Sequence, residues 1–377
     1  MPFSEAVLYA ALGFAAFYTA GIVAIALVLR RVRQSPPAAE RTVWPSVTVI
    51  VAARNEEDHI GDCIDALLKQ AYNGPVEIVI VNDGSTDGTA DQVRTGMPAT
   101  HQEGTHQVRL MEAGEPIGHV RGKALAIHRA IEATSSPYLV ITDADCRPPA
   151  SWLASVVDRL DRDGTGMVCG ITAVSPQVTV DDRVQAIDWV YLFSIASAAS
   201  EFGYAITAMG NNMAIRREAY EAVGGYPKLP FSVTEDYVLF QAVSRLPNFE
   251  VYLPFNKSLL NTTLPAPSVL HAFRQRKRWA RGGLRVPAWV YGLYTIGIAT
   301  HALLPVALLL APVPALMGIL TKALGDVYLL RTASRRLGLP LRLIDVPAFE
   351  AYLTAYMVGV PLSLLVQPRI RWKAREF

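Results

Sequence analysis

Asp143 and Asp145 stand either side of Ala144, directly after the apolar run Tyr138–Thr142. Side chains alternate along an extended segment, so both carboxylates leave it on the same face. Two carboxylates at one strand end suit a hard divalent cation that also touches phosphate oxygens. The same pair suits a turn or a helix cap ahead of Pro148-Pro149. Asn82-Asp83-Gly84-Ser85 has the same two uses, a polar site at a strand end or an Asx turn capping the next helix. In Thr234-Glu235-Asp236 the residue types fit a helix cap with acids in its first turn. They equally fit a general base, Asp236, that takes a proton from an acceptor hydroxyl. His271–Arg285 is densely basic, as an interfacial helix meeting lipid phosphates would be. Within it Gln275, Arg278 and Trp279 are spaced i, i+3, i+4 and share one helix face. An amide, a forked guanidinium and an indole on one face are suited to gripping a sugar diphosphate.

These clusters need elements to hold them. Val47–Val51 is a short β-branched run followed by the polar Arg54-Asn55-Glu56-Glu57, and Ile60, Cys63, Ile64, Leu67 and Leu68 then recur at helical spacing. Val76–Val81 reads as a second strand, Gly88–Arg94 as a helix, Val108–Met111 as a third strand, Lys123–Ile131 as a helix and Tyr138–Thr142 as a fourth strand. Such alternation predicts a mostly parallel, doubly wound α/β sheet, in which ligands bind beyond the carboxyl ends of the strands. The polar clusters Arg54–Glu57, Asp83–Ser85 and Asp143–Asp145 all fall at those ends. The first strand lacks a Gly-x-Gly-x-x-Gly turn, and there is no P-loop sequence. A bound nucleotide would therefore depend on acidic residues and a cation instead of a glycine cradle.

The 377 residues suffice for two to three domain-sized units. Hydrophobic residues make up 51% and charged residues 18%, with a mean hydropathy of +0.25, which excludes a disordered chain. A formal charge of +2 is too balanced for a nucleic-acid binder. Cys63, Cys146 and Cys169 have no metal-ligand spacing, which fits a reducing compartment and gives no support for zinc. The apolar excess sits at the two ends. Ala6–Leu29 has no charged residue, is long enough to cross a bilayer, and is followed at once by Arg30, Arg31 and Arg33. The positive flank predicts an uncleaved anchor, residues 6–29, with its N-terminus outside. Val286–Leu320 is split by Pro312 and Pro314, which predicts a membrane hairpin over 286–330 with helices near Pro287–Leu310 and Val313–Leu330. Lys322 and Asp326, at i and i+4, can pair on the return helix. Residues 346–366 form a third C-terminal membrane segment. The basic flanks Arg331–Arg342 and Arg369–Arg375 both ask for the inside, so a re-entrant or interfacial course fits as well as a crossing.

Together these residues resemble glycosyltransferase family 2, in its membrane-anchored branch. Val51-Ala52-Ala53-Arg54-Asn55-Glu56-Glu57 looks like that family's first-strand signature. Asn82-Asp83-Gly84-Ser85-Thr86-Asp87, Asp143-Ala144-Asp145, Thr234-Glu235-Asp236 and Gln275-x-x-Arg278-Trp279 follow in the family's order. The resemblance implies a GT-A catalytic domain over residues 46–285, a Rossmann-like, mostly parallel sheet, with N- and C-terminal transmembrane helices. It implies a nucleotide-sugar donor, UDP-linked in the first instance, with Glu56 and Asp83 contacting the nucleoside and Lys123 near the diphosphate. It implies Asp143 binding donor, and Asp145 together with Asp143 holding Mg²⁺ or Mn²⁺. It implies Asp236 as the base of inverting transfer, Arg278 steadying the leaving diphosphate, and Trp279 and Gln275 on the acceptor side. Gly210-Asn211-Asn212 resembles an acceptor-side loop.

The motif set serves enzymes that glycosylate lipids and processive polysaccharide synthases alike. Three or four membrane segments are few for a polymer channel, so a lipid or lipid-linked acceptor at the cytoplasmic face of a bacterial inner membrane is the first expectation. A membrane nucleotidyltransferase would leave Asp236 and Gln275-x-x-Arg278-Trp279 without roles. A non-catalytic scaffold would lack one of the acidic residues, and none is missing.

Overall fold

The computed structural model describes residues 2–32, 43–96, 106–204, 206–284, 286, 288–367, 371–372 and 375–376. Arg33, Arg285, Pro287, Arg369 and Lys373, used in the charge and boundary readings above, lie outside the described residues. In chain order the helix α1 (Phe3–Arg31) is followed by β1 (Val47–Ala53), α2 (Ile60–Leu68), β2 (Val76–Asn82), α3 (Thr89–Gly96), β3 (His106–Glu112), α4 (Lys123–Glu132) and β4 (Tyr138–Asp143). Next come α5 (Trp152–Leu160), β5 (Thr165–Cys169), β6 (Thr172–Val174), α6 (Val180–Ser200), β7 (Asn212–Arg216), α7 (Arg217–Ala222), α8 (Gly225–Lys228) and α9 (Glu235–Val243). The chain ends through β8 (Glu250–Tyr252), β9 (Asn261–Thr263), α10 (Val269–Gly282), α11 (Ala288–Leu310), α12 (Pro312–Leu337) and α13 (Val346–Val366). Two compact units result, one from Gln34–Ala173 and Ala199–Leu264, the other from Met1–Arg33, Val174–Ala198 and Pro265–Phe377.

The first of these units holds a seven-stranded sheet in the order β3-β2-β1-β4-β7-β5-β8. The strands β3, β2, β1 and β4 are mutually parallel, while β7 runs antiparallel to both β4 and β5. Strand–helix alternation is legible as a parallel sheet because each crossover helix returns the chain to the same starting edge. Helices on the faces bury the central strands, which explains why Val47–Val51 is a β-branched run buried at every position. Ile60, Cys63, Ile64 and Leu67 of α2 and Trp152, Leu153, Val156, Val157 and Leu160 of α5 share one core with Val47, Val49 and Val51. Between α5 and α9 little periodicity is visible in the residues, and the structure supplies the reason. All five residues of β5 are buried, and most of α6 is buried on every side, so neither shows a polar stripe.

Among the described residues, four helical segments are long and apolar enough to cross a membrane, all in the second unit: α1, α11, α12 and the segment Leu343–Val366 that includes α13. Small residues let α1 approach its neighbours, with Ala11 and Ala15 packed among Leu304, Ala307 and Ala315. A Cβ on Gly318 would meet Leu12 at 2.8 Å, and one on Gly325 would meet Thr19 at 2.9 Å, so α1 and α12 are in close contact. The return helix continues past Leu330 to Leu337, taking Arg331, Arg335 and Arg336 into its last two turns. It stops at Gly338, whose left-handed φ of 70° forms the C-cap. The stretch with conflicting flanks is a continuous helix despite Pro361.

Polar side chains converge inside this helical unit. Lys322 reaches Asp326 at 3.0 Å, the i,i+4 pairing expected from their spacing, and also pairs with Glu350 of α13. Tyr18 and Tyr191 each donate to Asp326 Oδ1 at 3.0 Å. Charges buried among apolar helices persist only when paired and hydrogen-bonded in this way.

Candidate active site

Register brings the acidic motifs together. Ala53 at the end of β1 lies opposite Asn82 of β2, and Ala52 lies opposite Asp143 of β4. The sheet order reverses direction at β1, between β2 and β4, and at such a switch point the loops diverge and leave a crevice beyond the strand ends. Arg54-Asn55-Glu56, Asp83-Gly84-Ser85 and Asp143-Ala144-Asp145 line that edge. The loops after β1 and β2 are stitched to each other. Arg54 Nη1 donates to Asp83 O at 3.3 Å, Asn55 N–H to Ser85 Oγ at 3.1 Å, and Glu56 N–H to Thr89 Oγ1 at 2.8 Å. Asn55 holds a positive φ of 54°, a conformation asparagine tolerates better than most residues. These backbone contacts leave the Glu56 and Asp83 carboxylates at the crevice, both partly exposed.

Lys123, the first residue of α4, is the hub of the edge. Its ammonium donates to Asp143 Oδ1 at 2.5 Å and to Gly210 O at 3.0 Å, and it lies 3.8 Å from Glu235 Oε1. Burial disfavours its charge, but Asp143, Glu235 and Asp236 outweigh that and hold its pKa above the ordinary lysine range. The far side of the Gly210 peptide is held by Asp236, whose Oδ2 accepts from Gly210 N–H at 2.7 Å. Asp236 Oδ1 accepts from Tyr237 N–H at 2.8 Å. One residue thus links the acidic pair after β4 to the acids that open α9. Gly210 must be glycine for this: a Cβ there would sit 2.8 Å from Asp236 Oδ2. Thr234 occupies the N-cap position of α9 but makes no capping side-chain bond. Each carboxylate oxygen has two acceptor sites, so Asp236 can still receive a proton-bearing hydroxyl.

Asp145 completes the edge. Its Oδ2 accepts from Thr263 Oγ1 at 3.1 Å, which fixes the carboxylate after the turn. With Ala144 buried between them, Asp143 and Asp145 are both half-exposed, as alternation requires. Among the described residues no group of three or more His, Cys, Asp and Glu side chains is placed to hold a metal ion. The oxygen-only pair nevertheless has the donor chemistry that would suit a hard divalent cation.

Asn211 and Asn212 do different work from an acceptor contact. Both are buried, and their side chains hold the frame. Asn211 Oδ1 accepts from Thr172 Oγ1 at 3.0 Å. Asn212 Nδ2 donates to Ile171 O and Leu259 O, each at 2.8 Å, and its Oδ1 accepts from the Trp152 indole at 2.9 Å. They anchor the start of β7 and so position Gly210. Sequence reasoning missed Gly210 as a clamp and Thr263 as the partner of Asp145; neither residue type announces such a role.

In the other unit, α10 begins at Ser268, whose Oγ accepts from His271 N–H. Gln275, Arg278 and Trp279 are all half-buried on it. The fully buried member is one that helical spacing passed over. Arg276 pairs with Asp188 of α6, and its guanidinium lies 4.2 Å from the centre of the Trp279 ring. Trp279 in turn meets Trp189 edge-on at 5.3 Å. Burial raises the Asp188 pKa, and Arg276 opposes the rise.

A sequence model described as glycosyl transferase family group 2 matches residues 138–366, and one described as glycosyl transferase family 2 matches residues 48–224. The chain belongs to glycosyltransferase family 2. Among curated relatives of this family 2 chain, a beta-monoglucosyldiacylglycerol synthase of Synechocystis is 27% identical over 269 residues, 69% of this chain and 53% of the relative. A poly-beta-1,6-N-acetyl-D-glucosamine synthase of Staphylococcus aureus is 25% identical over 242 residues, 64% of this chain and 55% of the relative. The chain spans about half the length of these curated relatives. A mannosyltransferase of Pyrobaculum calidifontis, solved with GDP-Man and Mn²⁺, matches the fold with a TM-score of 0.59 at 21% identity. That match covers 95% of this chain and 99% of the other. The fold is therefore GT-A, with helices of membrane-spanning length added to the sheet domain.

Proposed function

We propose that this chain is a membrane-bound inverting glycosyltransferase that moves a sugar from a nucleotide-sugar donor to a lipid or lipid-linked acceptor. The observation that carries the reading is the continuous contact Asp143–Lys123–Gly210–Asp236 at the carboxyl edge of the sheet. It ties a phosphate-binding station to a candidate base through a single residue. In this reading Glu56 and Asp83 hold the nucleoside, and Lys123 and Asp143 orient the diphosphate. Asp145, with Asp143, would hold Mg²⁺ or Mn²⁺, which when bound neutralises the charge growing on the leaving diphosphate. Arg278 forks onto the same leaving group. Asp236 accepts the acceptor hydroxyl's proton as the oxygen attacks the anomeric carbon and the bond to the diphosphate breaks. A single displacement with one base inverts that carbon. Gln275 and Trp279 border the acceptor, and Asn211 and Asn212 position the Gly210 loop.

The acceptor assignment rests on the helices of spanning length and on the glycolipid synthase among the relatives. Arg30 and Arg31 directly after the apolar run support a cytoplasmic catalytic unit, as at a bacterial inner membrane. A second reading, processive polymer synthesis, draws on the poly-N-acetylglucosamine synthase relative. Membranes containing the full chain, incubated with radiolabelled UDP- and GDP-sugars, separate the two. Label in the organic extract is the expected result. Label in an insoluble polymer supports the second reading, and no transfer from any donor contradicts both.

A further inference from the structure

Where α1 ends, a cleft of about 480 Å³ opens between α1 and the last turns of α12. Arg30, Arg331, Arg335 and Arg336 line it, and among the described residues no carboxylate does. Its base is braced. Arg336 donates to Leu29 O and Val32 O, both at 2.5 Å, satisfying carbonyls that the end of α1 leaves open. Arg30 donates to the Oη of Tyr328, another lining residue, at 3.0 Å. Arg331 and Arg335 lie i,i+4 on one face of α12, exposed and without an ion-pair partner among the described residues. Four guanidinium groups around one cleft repel each other unless an anion sits among them. The cavity size is that of a small-ligand site.

The level of the cleft says which anion. Leu29, the last residue of the uncharged run, lines it, and one to two turns back the outward residues are apolar and exposed, Leu27 at 40% and Leu324 at 70%. Apolar surface meeting a ring of arginines marks the headgroup boundary of a bilayer. We infer that this cleft binds the phosphate of an anionic phospholipid, with Arg331 and Arg335 as the recognising pair and Arg336 and Arg30 as its fixed base. The inference rests on reading α1 and α12 as membrane-spanning; it is independent of the transfer chemistry.

The test uses the purified full chain in mixed micelles with equal phosphatidylglycerol and phosphatidylcholine, bound lipid being counted by native mass spectrometry. Retention of phosphatidylglycerol over phosphatidylcholine is expected, falling as salt is raised. In the Arg331→Gln/Arg335→Gln variant, phosphatidylglycerol retention should drop about 30-fold. Phosphatidylcholine retention should stay unchanged, which checks that the variant is folded. Soluble glycerol phosphate in a parallel arm should not displace the lipid. Equal retention of the two lipids by the unaltered protein at low salt would overturn the proposal, and so would unchanged phosphatidylglycerol binding by the folded double variant. Displacement by glycerol phosphate would overturn the lipid assignment in favour of a soluble phosphate ester.

Discussion

Gly210 has no reactive group, yet it is held from both sides by charged side chains. Lys123 holds its carbonyl and Asp236 holds its N–H, so the residue acts as a spacer between the acids after β4 and the acid that opens α9. Gly210→Ala should displace the Asp236 carboxylate, because the new methyl would lie 2.8 Å from Oδ2. Misplacement on this scale typically costs on the order of 10² in rate. Single-turnover transfer should fall by that order while nucleotide affinity holds; an alanine variant with normal turnover would show the clamp to be irrelevant. The three thiols give a second prediction. Burial pushes the Cys169 thiol up to about 12 and raises Cys63 and Cys146 as well, so none is a thiolate at neutral pH. The folded protein should resist iodoacetamide at neutral pH and label at Cys63, Cys146 and Cys169 only after denaturation, measured by peptide mass spectrometry. Labelling of the native chain at any of the three would contradict the burial. The strand-end placement of Asp143 and Asp145 was legible from the sequence because they directly follow a buried apolar run. Asn211 and Asn212 were not, since an amide serves a buried backbone as readily as a ligand.

At the scale of elements, the strands β1, β2 and β4 and the helices α2 and α4 could be read from periodicity, because each ends in polar residues and each helix packs one face. The stretch from β5 to α6 could not. A strand or helix enclosed on all sides has no polar stripe to reveal its period. The same burial hides the ion pair between α6 and α10. Helical spacing singles out Gln275, Arg278 and Trp279, whereas the fully buried contact of that helix is Arg276 with Asp188. Removing one partner strands the other charge, at a typical cost of about 3–5 kcal/mol. Asp188→Asn should therefore lower the thermal midpoint of the detergent-solubilised chain sharply. The double change Asp188→Leu/Arg276→Met should recover much of the loss. Equal midpoints for Asp188→Asn and the unaltered chain would show that the pair does not hold α10.

For the whole molecule, the family, the parallel sheet and the helices of spanning length were all legible because each depends on order along the chain. Contacts that depend on three-dimensional register, such as Thr263 on Asp145, were not. In the proposed mechanism the acidic residues have separate roles, Asp145 in donor binding through a cation and Asp236 in proton transfer. Chelation with EDTA should accordingly weaken nucleoside diphosphate binding, with Mg²⁺ or Mn²⁺ restoring it; unchanged affinity in metal-free protein would remove the cation from the mechanism. The most direct measurement compares Asp145→Asn with Asp236→Asn in the full chain, reading nucleoside diphosphate affinity with metal present and single-turnover rate. Asp145→Asn should show weakened metal-dependent binding. Asp236→Asn should keep intact binding, with a rate lower by on the order of 10²–10⁴. An Asp236→Asn protein that binds nucleotide and turns over at a near-normal rate would contradict the assignment of Asp236 as the base.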